Sequence, residues 1–439
     1  MKAIIRTNIS RSFPLRRIYS FIIYLLIPFV VLRLFWLGFR NPDYRRRWKE
    51  RFGFPDKITS QDRIIWLHAV SVGEVQASRP LVNGLMEEYP DYKILITTMT
   101  PTGADSVKQY FGESVRQLYV PYDLPVAIKH FISVIEPSIL IVMETELWPN
   151  LFHYCHKNNI PVIVVNARMS EKSAKGYRRF SSLIRPMLEK VSLVVSQGEK
   201  DAERMIALGA DKDKVSVTGN LKFDIHLPHS VTEQAQALRR YFSVNRPVWI
   251  AASTHEGEEK IILDALDKVL QRQSQCLLVI VPRHPGRAAA VRELCIKRNF
   301  KVLSKSDNRE CDENVKVFIL DTLGELPMYY AAADVAFVGG SLTEIGGHNM
   351  LEPACLALPV IMGPHVFNFQ EISQLLLDEG AAWKVSNADE LSIKVSGLLA
   401  DANLRHNTGE RGRNIVLKKR GNVEKIMELI REFFKTHVT

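Results

Sequence analysis

The 439-residue sequence predicts an α/β protein: two consecutive doubly wound, Rossmann-like domains behind an apolar, basic N-terminal segment. Three observations carry that expectation. Short runs rich in Val, Ile and Leu alternate with amphipathic segments from about residue 60 onward, the pattern of parallel strands covered on both faces. The alternation breaks once, at the polar, aperiodic LKFDIHLPHS (221–230), and then resumes. The excess positive charge is confined to the first 51 residues.

Those residues hold twelve Lys and Arg against two Asp and Glu, while the whole chain has 58 and 48. The net charge of +10 belongs entirely to this segment, and the rest carries 46 side chains of each sign. A balanced body lacks the basic surface of a nucleic-acid binder, which excludes that class of partner. Within the segment, IYSFIIYLLIPFVVL runs uncharged from Ile18 to Leu32, and LFWLGF continues beyond Arg33 to Phe39. A spanning helix needs about 20 apolar residues, and snorkelling by Arg33 gives about 22. Lys2, Arg6, Arg11, Arg16 and Arg17 precede the run, and Arg40, Arg45, Arg46, Arg47, Lys49 and Arg51 follow it. No small-residue cleavage site follows, which argues against a removed signal peptide, and buried core helices rarely carry such flanks. The expectation is a membrane anchor, spanning or lying on the surface, with the next domain on the cytoplasmic side near anionic headgroups.

The first βα series comprises RIIWLHAV, YKILITTM, VRQLYV, SILIVMET, IPVIVVNA, SLVVSQ and KVSVTG, separated by segments such as LPVAIKHFISVIEP. The second comprises VWIAAS, CLLVIVPR, VKVFILDT, VAFVGG and PVIMG. Expected boundaries are 1–51 for the anchor and its basic flank, 52–224 for the first Rossmann-like domain and 225–439 for the second, with 221–230 as the linker. Substrates of such a pair bind at the carboxyl ends of strands facing the cleft between the domains. The final stretch, Asn414 to Phe434, reads as helical and able to pack back across the linker. The five cysteines (155, 276, 295, 311 and 355) are scattered with no CxxC pair, which indicates reduced thiols and neither a disulfide framework nor a zinc site.

Candidate site residues cluster at strand exits. In HAVSVGEVQASRP (68–80), Glu74 follows a glycine at the exit of a buried strand. It serves either the chemistry kept at such places or the dipole of the helix it opens. IVMETELWPN (141–150) sets Glu144 and Glu146 at the end of a very apolar strand, where carboxylates must be hydrogen-bonded, paired or functional. Lys222 opens the linker and is either a cleft residue or a surface lysine. In Val335–Pro364, the pairs Gly339-Gly340 and Gly346-Gly347 precede a helix opening near Asn349. Glycines allow close backbone approach, and free N–H groups at a helix start attract phosphate. Glu352, one turn in and eight positions after Glu344, can accept hydrogen bonds from a ribose or merely complement the dipole. In VIVPRHPGR (279–287), Arg283 and His284 leave a strand between two prolines, suited to clamping a phosphate or simply solvated. LDTLGELPMYY (320–330) turns at Gly324 and Glu325. In AASTHEGEE (251–259), Ser253 and Glu256 have capping-box spacing. Asp211-Lys212-Asp213 reads as a solvated loop, and HExxH is absent, so no metal site is indicated.

Taken together, HAVSVGEVQAS, TTMTPTGAD, METELWPN, NARMS, SQGEKDAERM, TGNLKFD, VPRHP, DTLGEL and FVGGSL…GGHNMLEP closely resemble the 3-deoxy-D-manno-octulosonic acid (Kdo) transferases of lipopolysaccharide assembly. The resemblance runs from the N-terminal segment to near the C-terminus and implies a GT-B glycosyltransferase. Such an enzyme moves Kdo from CMP-Kdo to a glucosamine hydroxyl of the lipid A precursor, with inversion, at the cytoplasmic face of the bacterial inner membrane and without a cofactor or bound metal. It further implies Glu74 as general base, and Glu144 and Lys222 as transition-state stabilisers. CMP would be held by Arg283 and His284, by Leu323, Gly324 and Glu325, and by Asn349, Met350, Leu351 and Glu352. Two other readings of the residues stand beside it: a noncatalytic membrane-tethered nucleotide-binding adaptor, and a GT-B transferase or epimerase using a UDP-sugar.

Overall fold

The computed structural model describes residues 12–56, 62–225 and 230–437. The early basic residues Lys2, Arg6 and Arg11 and the linker positions 226–229 lie outside them. Contacts divide the chain into two compact units. One ends at Asp224 and takes in the chain again from Gly421; the other is Ile225–Arg420.

The first unit holds β1 (Arg63–His68), β2 (Tyr92–Thr98), β3 (Arg116–Tyr119), β4 (Pro137–Met143), β5 (Val162–Ala167), β6 (Leu193–Ser196) and β7 (Val215–Val217). They form one parallel sheet in the order β3-β2-β1-β4-β5-β6-β7. The second unit holds β8 (Val248–Thr254), β9 (Leu277–Pro282), β10 (Val302–Ser304), β11 (Val317–Ile319), β12 (Val335–Val338), β13 (Val360–Met362) and β14 (Ala382–Lys384). Its parallel order is β10-β11-β9-β8-β12-β13-β14. Each unit is thus the doubly wound sheet that a GT-B protein repeats. Central strands such as β1 and β4 bury almost every side chain, Ile64–Leu67 and Ile139–Met143 among them, because helices cover both faces. The sheet order reverses direction between β1 and β4 in the first unit and between β8 and β12 in the second. Those reversals open a crevice at the strands' carboxyl ends.

The helix Ser12–Arg40 lies along the first unit. Arg16 and Ser20 both donate to Asn150 Oδ1, at 2.9 and 3.1 Å, and Tyr19 Oη donates to Asp123 at 2.9 Å. Leu34 is buried, but Phe21, Leu25, Phe29, Leu32, Phe35, Trp36 and Phe39 face outward and exposed. Its stretch Leu15–Phe39 is long and apolar enough to cross a membrane.

The expected helix at 414–434 is two helices, Ala402–Lys418 and Asn422–His437, broken at Gly421, whose φ is +89°. The second packs with the first unit and not, as the expected 225–439 domain had it, with the second. Ile426, Met427, Ile430 and Phe434 enter the core formed by Val75, Leu81, Val82 and Leu85. Asp224, buried at the end of the first unit, accepts the N–H groups of Gly421 and Val423, each at 2.6 Å, and so caps that helix.

Candidate active site

In the first unit, the switch between β1 and β4 gathers three carboxylates. Ser71 caps the helix Val72–Glu88 by accepting the Glu74 N–H at 3.3 Å. The Glu74 carboxylate answers by accepting Ser71 Oγ at 3.1 Å and the Val70 N–H at 2.7 Å. This reciprocal cap leaves the carboxylate 8% exposed in a fixed rotamer. Burial, then the nearby charges of Glu144 and Glu146, push its pKa up to about 8, against the lowering effect of the two hydrogen bonds. Glu74 therefore closes a helix cap, while its surroundings favour the protonated carboxyl.

Glu144 stands directly after β4 with φ +54°, its N–H donating to Val165 O at 2.9 Å. A left-handed non-glycine residue costs about 1–3 kcal/mol and persists where surrounding structure dictates it. Glu146 accepts the Trp148 indole N–H at 2.9 Å, and burial raises its pKa. Lys222 lies with its ammonium 3.7 Å from the Glu144 carboxylate, so the sheet brings together two residues 78 positions apart in the sequence. Behind them His68 is fully buried and held neutral, its pKa pushed down to about 4 by burial. Its ring stands edge-on to Trp148 at 5.1 Å and its Nδ1 meets Thr97 Oγ1 at 3.0 Å.

Sequence reasoning missed the residues that position Lys222. Asn166, left-handed at φ +55°, accepts the Leu221 N–H at 3.0 Å. Asn220 accepts the Lys222 N–H at 2.9 Å and donates to Gln197 Oε1 at 2.9 Å. The motifs NARMS, SQGEK and TGNLKFD contain these three amides, yet only the parallel order β5-β6-β7 shows that they face one another.

In the second unit, the expected CMP residues leave the adjacent strands β11 and β9 and, beyond β8, the strand β12. Arg283 and His284 follow β9, Leu323–Glu325 follow β11, and Asn349–Glu352 follow β12. Leu323 is exposed, and Glu325 accepts the Thr322 hydroxyl. Asn349 Oδ1 accepts the Leu351 N–H at 3.1 Å and its amide donates to Glu352 at 3.0 Å, a turn one residue before the N-cap, Met350, that orients the glutamate. Arg283 is half-buried beside His255, His284 and His348. His255 Nε2 and His348 Nε2 meet at 2.8 Å, sharing one proton between two neutral rings. Burial, then Arg283 and the other imidazoles, push the His348 pKa down to about 3.

One expectation fails here. Ser253 and Glu256 form no capping box: Ser253 ends up inside β8 at φ +56°, and the helix starts later, at Glu258. The N–H groups of the first glycine loop are already taken. Fully buried Glu258 accepts those of Gly340 at 2.7 Å, Ser341 at 3.0 Å, Leu342 at 2.9 Å and His255 at 2.9 Å. A resident carboxylate thus satisfies the Gly339–Leu342 turn. Gly339 itself is required by packing, since a Cβ there would meet Ser253 O at 2.6 Å.

Comparison with known proteins agrees with this layout. Residues 46–225 match the family model described as 3-deoxy-D-manno-octulosonic-acid transferase (kdotransferase), and residues 250–415 match that of glycosyl transferases group 1. A 3-deoxy-D-manno-octulosonic acid transferase of Haemophilus influenzae is 39% identical over 425 residues, 96% of this chain and 100% of that protein. One from Bordetella pertussis is 32% identical, over 84% of this chain and 87% of its own length. A solved glycosyltransferase from Rickettsia africae aligns with a TM-score of 0.54 at 16% identity, covering 85% of this chain and 99% of that one, a likeness of fold alone. The chain belongs to the 3-deoxy-D-manno-octulosonic acid transferase family and is a glycosyltransferase.

Proposed function

We propose that the chain transfers Kdo from CMP-Kdo to a glucosamine hydroxyl of a tetra-acylated lipid A precursor, with inversion at the anomeric carbon. It does so at the cytoplasmic face of a bacterial inner membrane. The observation that carries the reading is the buried Glu74 carboxyl, whose pKa lies near about 8 beside Glu144 and Lys222.

The acceptor hydroxyl oxygen bonds to the anomeric carbon while its proton passes to Glu74. The bond from that carbon to the CMP phosphate oxygen breaks, and its electron pair leaves with CMP. A positioned carboxylate base contributes about 10²–10⁴-fold. Lys222, held by Asn166, Gln197 and Asn220, and Glu144 balance charge around the sugar as it departs. Arg283 and His284 take the phosphate, and Arg283 stabilises the charge developing on it. Asn349 presents Glu352 as an acceptor for ribose hydroxyls. The exposed apolar face of Ser12–Arg40 keeps the enzyme at the surface where a lipid acceptor resides.

The test incubates the full chain with CMP-Kdo and tetra-acylated lipid A precursor and weighs the lipid by mass spectrometry. A gain of one or more Kdo masses supports the reading. An unchanged lipid, with folded protein and intact donor, overturns it.

A further inference from the structure

A second polar site lies in the first unit, beneath the first described turns of Ser12–Arg40. Arg16, His153 and Lys190 converge on a small hollow of about 50 Å³ walled by Pro149, Leu183, Pro186 and Met187. No carboxylate lines it. Arg16 donates to the neutral Asn150 amide, and among the described residues no ion pair holds Lys190 or His153. The charge of Asp123 reaches Arg16, but that carboxylate lies outside the hollow's lining and is already bonded by Tyr19 and by the N–H groups of Asn150 and Leu151. His153 also feels Lys157 and His156 on its own helix, and burial followed by Arg16 and these neighbours pushes its pKa down to about 4. Burial and Arg16 likewise lower that of Lys190, against a small opposing effect from Glu189. Two cations and a neutral imidazole held together with no carboxylate in the hollow cost energy unless an anion completes the set.

The place of the hollow says what carries the anion. Leu15, Ile18, Phe21 and Ile22, on the same turns as Arg16, are exposed apolar residues, so the hollow opens beside the surface suited to acyl chains.

We propose that Arg16, His153 and Lys190 form a pocket for a lipid-borne phosphate, which on the proposed function is a phosphate of the glycolipid acceptor. It pins one end of the acceptor and so helps to orient it. The group is bound and not transformed, and the pocket is separate from the residues assigned to CMP.

The test reads binding without donor, so it stands whether or not Kdo transfer occurs. Full chain is floated with phosphatidylcholine vesicles containing a phosphorylated acylated glucosamine disaccharide, its dephosphorylated form, or phosphatidylglycerol at matched charge. Wild type, Lys190→Glu and Lys190→Arg are compared, with thermal melts as the folding control. Lys190→Glu should weaken binding to the phosphorylated glycolipid about tenfold, the scale of one charge-assisted contact, and Lys190→Arg should restore it. Loss confined to the glycolipid identifies the acceptor phosphate, and equal loss on phosphatidylglycerol identifies phospholipid headgroups. Unchanged binding on both phosphate-bearing vesicles overturns the proposal, as does an equal loss on the dephosphorylated lipid. Absence of transfer by wild type in the mass assay would instead remove the proposed function and leave this result readable.

Discussion

Glu74 couples catalysis to stability through one proton. Its folded pKa, about 8, lies above the value near 4.5 of an unfolded chain, so between those values the folded state binds more protons. Stability is therefore lost as pH rises from the lower value to the higher. Glu74→Gln, which keeps the shape without the charge, should raise the melting temperature relative to wild type. That advantage should grow as pH rises to about 8 and then level off, as calorimetry at several pH values would show. Glu258 has a structural task, a side chain that four N–H groups hold in place. Glu258→Ala leaves those donors buried and unpaired, with an expected cost of about 3 kcal/mol or more. Denaturant unfolding and a fall in CMP affinity would both register it. The sequence made Glu74 visible because a strand exit and a glycine frame it. Glu258 stayed hidden because HEGEE resembles an ordinary helix start, and its partners lie 82–84 positions away.

At the scale of elements, legibility followed burial. Strands with four or more consecutive buried apolar residues, such as β1, β4 and β8, stand out in the sequence, since both faces of a central parallel strand are dry. The edge strands VLS (β10) and AWK (β14) were missed. Each has three residues, and only the neighbouring strand makes it a strand. The break at Gly421 was also missed, because the apolar pattern continues through it while the two helices serve different units. Gly409 shows how tightly the helix before that break is packed: a Cβ there would fall 1.8 Å from Ala357 O. Gly409→Ala should destabilise the second unit by about 3 kcal/mol, read as a shift of its thermal transition. Ending the chain after Arg420 should act on the other unit. It removes Ile426, Met427, Ile430 and Phe434 from the first core, at about 1.5–3 kcal/mol per side chain. That is a large share of the about 5–15 kcal/mol that holds a domain together, so calorimetry should show the first unit's transition lost and the second's kept.

For the whole molecule, the division of charge in the sequence already separated the apolar, basic N-terminal segment from a neutral body. What the sequence left open was the lie of the apolar helix, because hydropathy does not say which face is held. Bonds from Arg16, Tyr19 and Ser20 supply that, fixing one face to the first unit and turning Phe21, Leu25, Phe29 and Leu32 outward. Changing those four to Ser should shift the protein from the membrane to the soluble fraction, whereas added salt alone should weaken only the electrostatic part. The central claim is that a family scaffold turns a buried Glu74 into the base of Kdo transfer. The most direct measurement is the pH dependence of kcat/KM for wild type beside Glu74→Gln, with CMP binding as the control. The account predicts a wild-type rate that climbs with pH and levels near about 8, and a variant that binds CMP normally yet transfers about 10²–10⁴-fold more slowly. A Glu74→Gln enzyme that transfers Kdo within a few-fold of wild type, with the same pH profile, would contradict it.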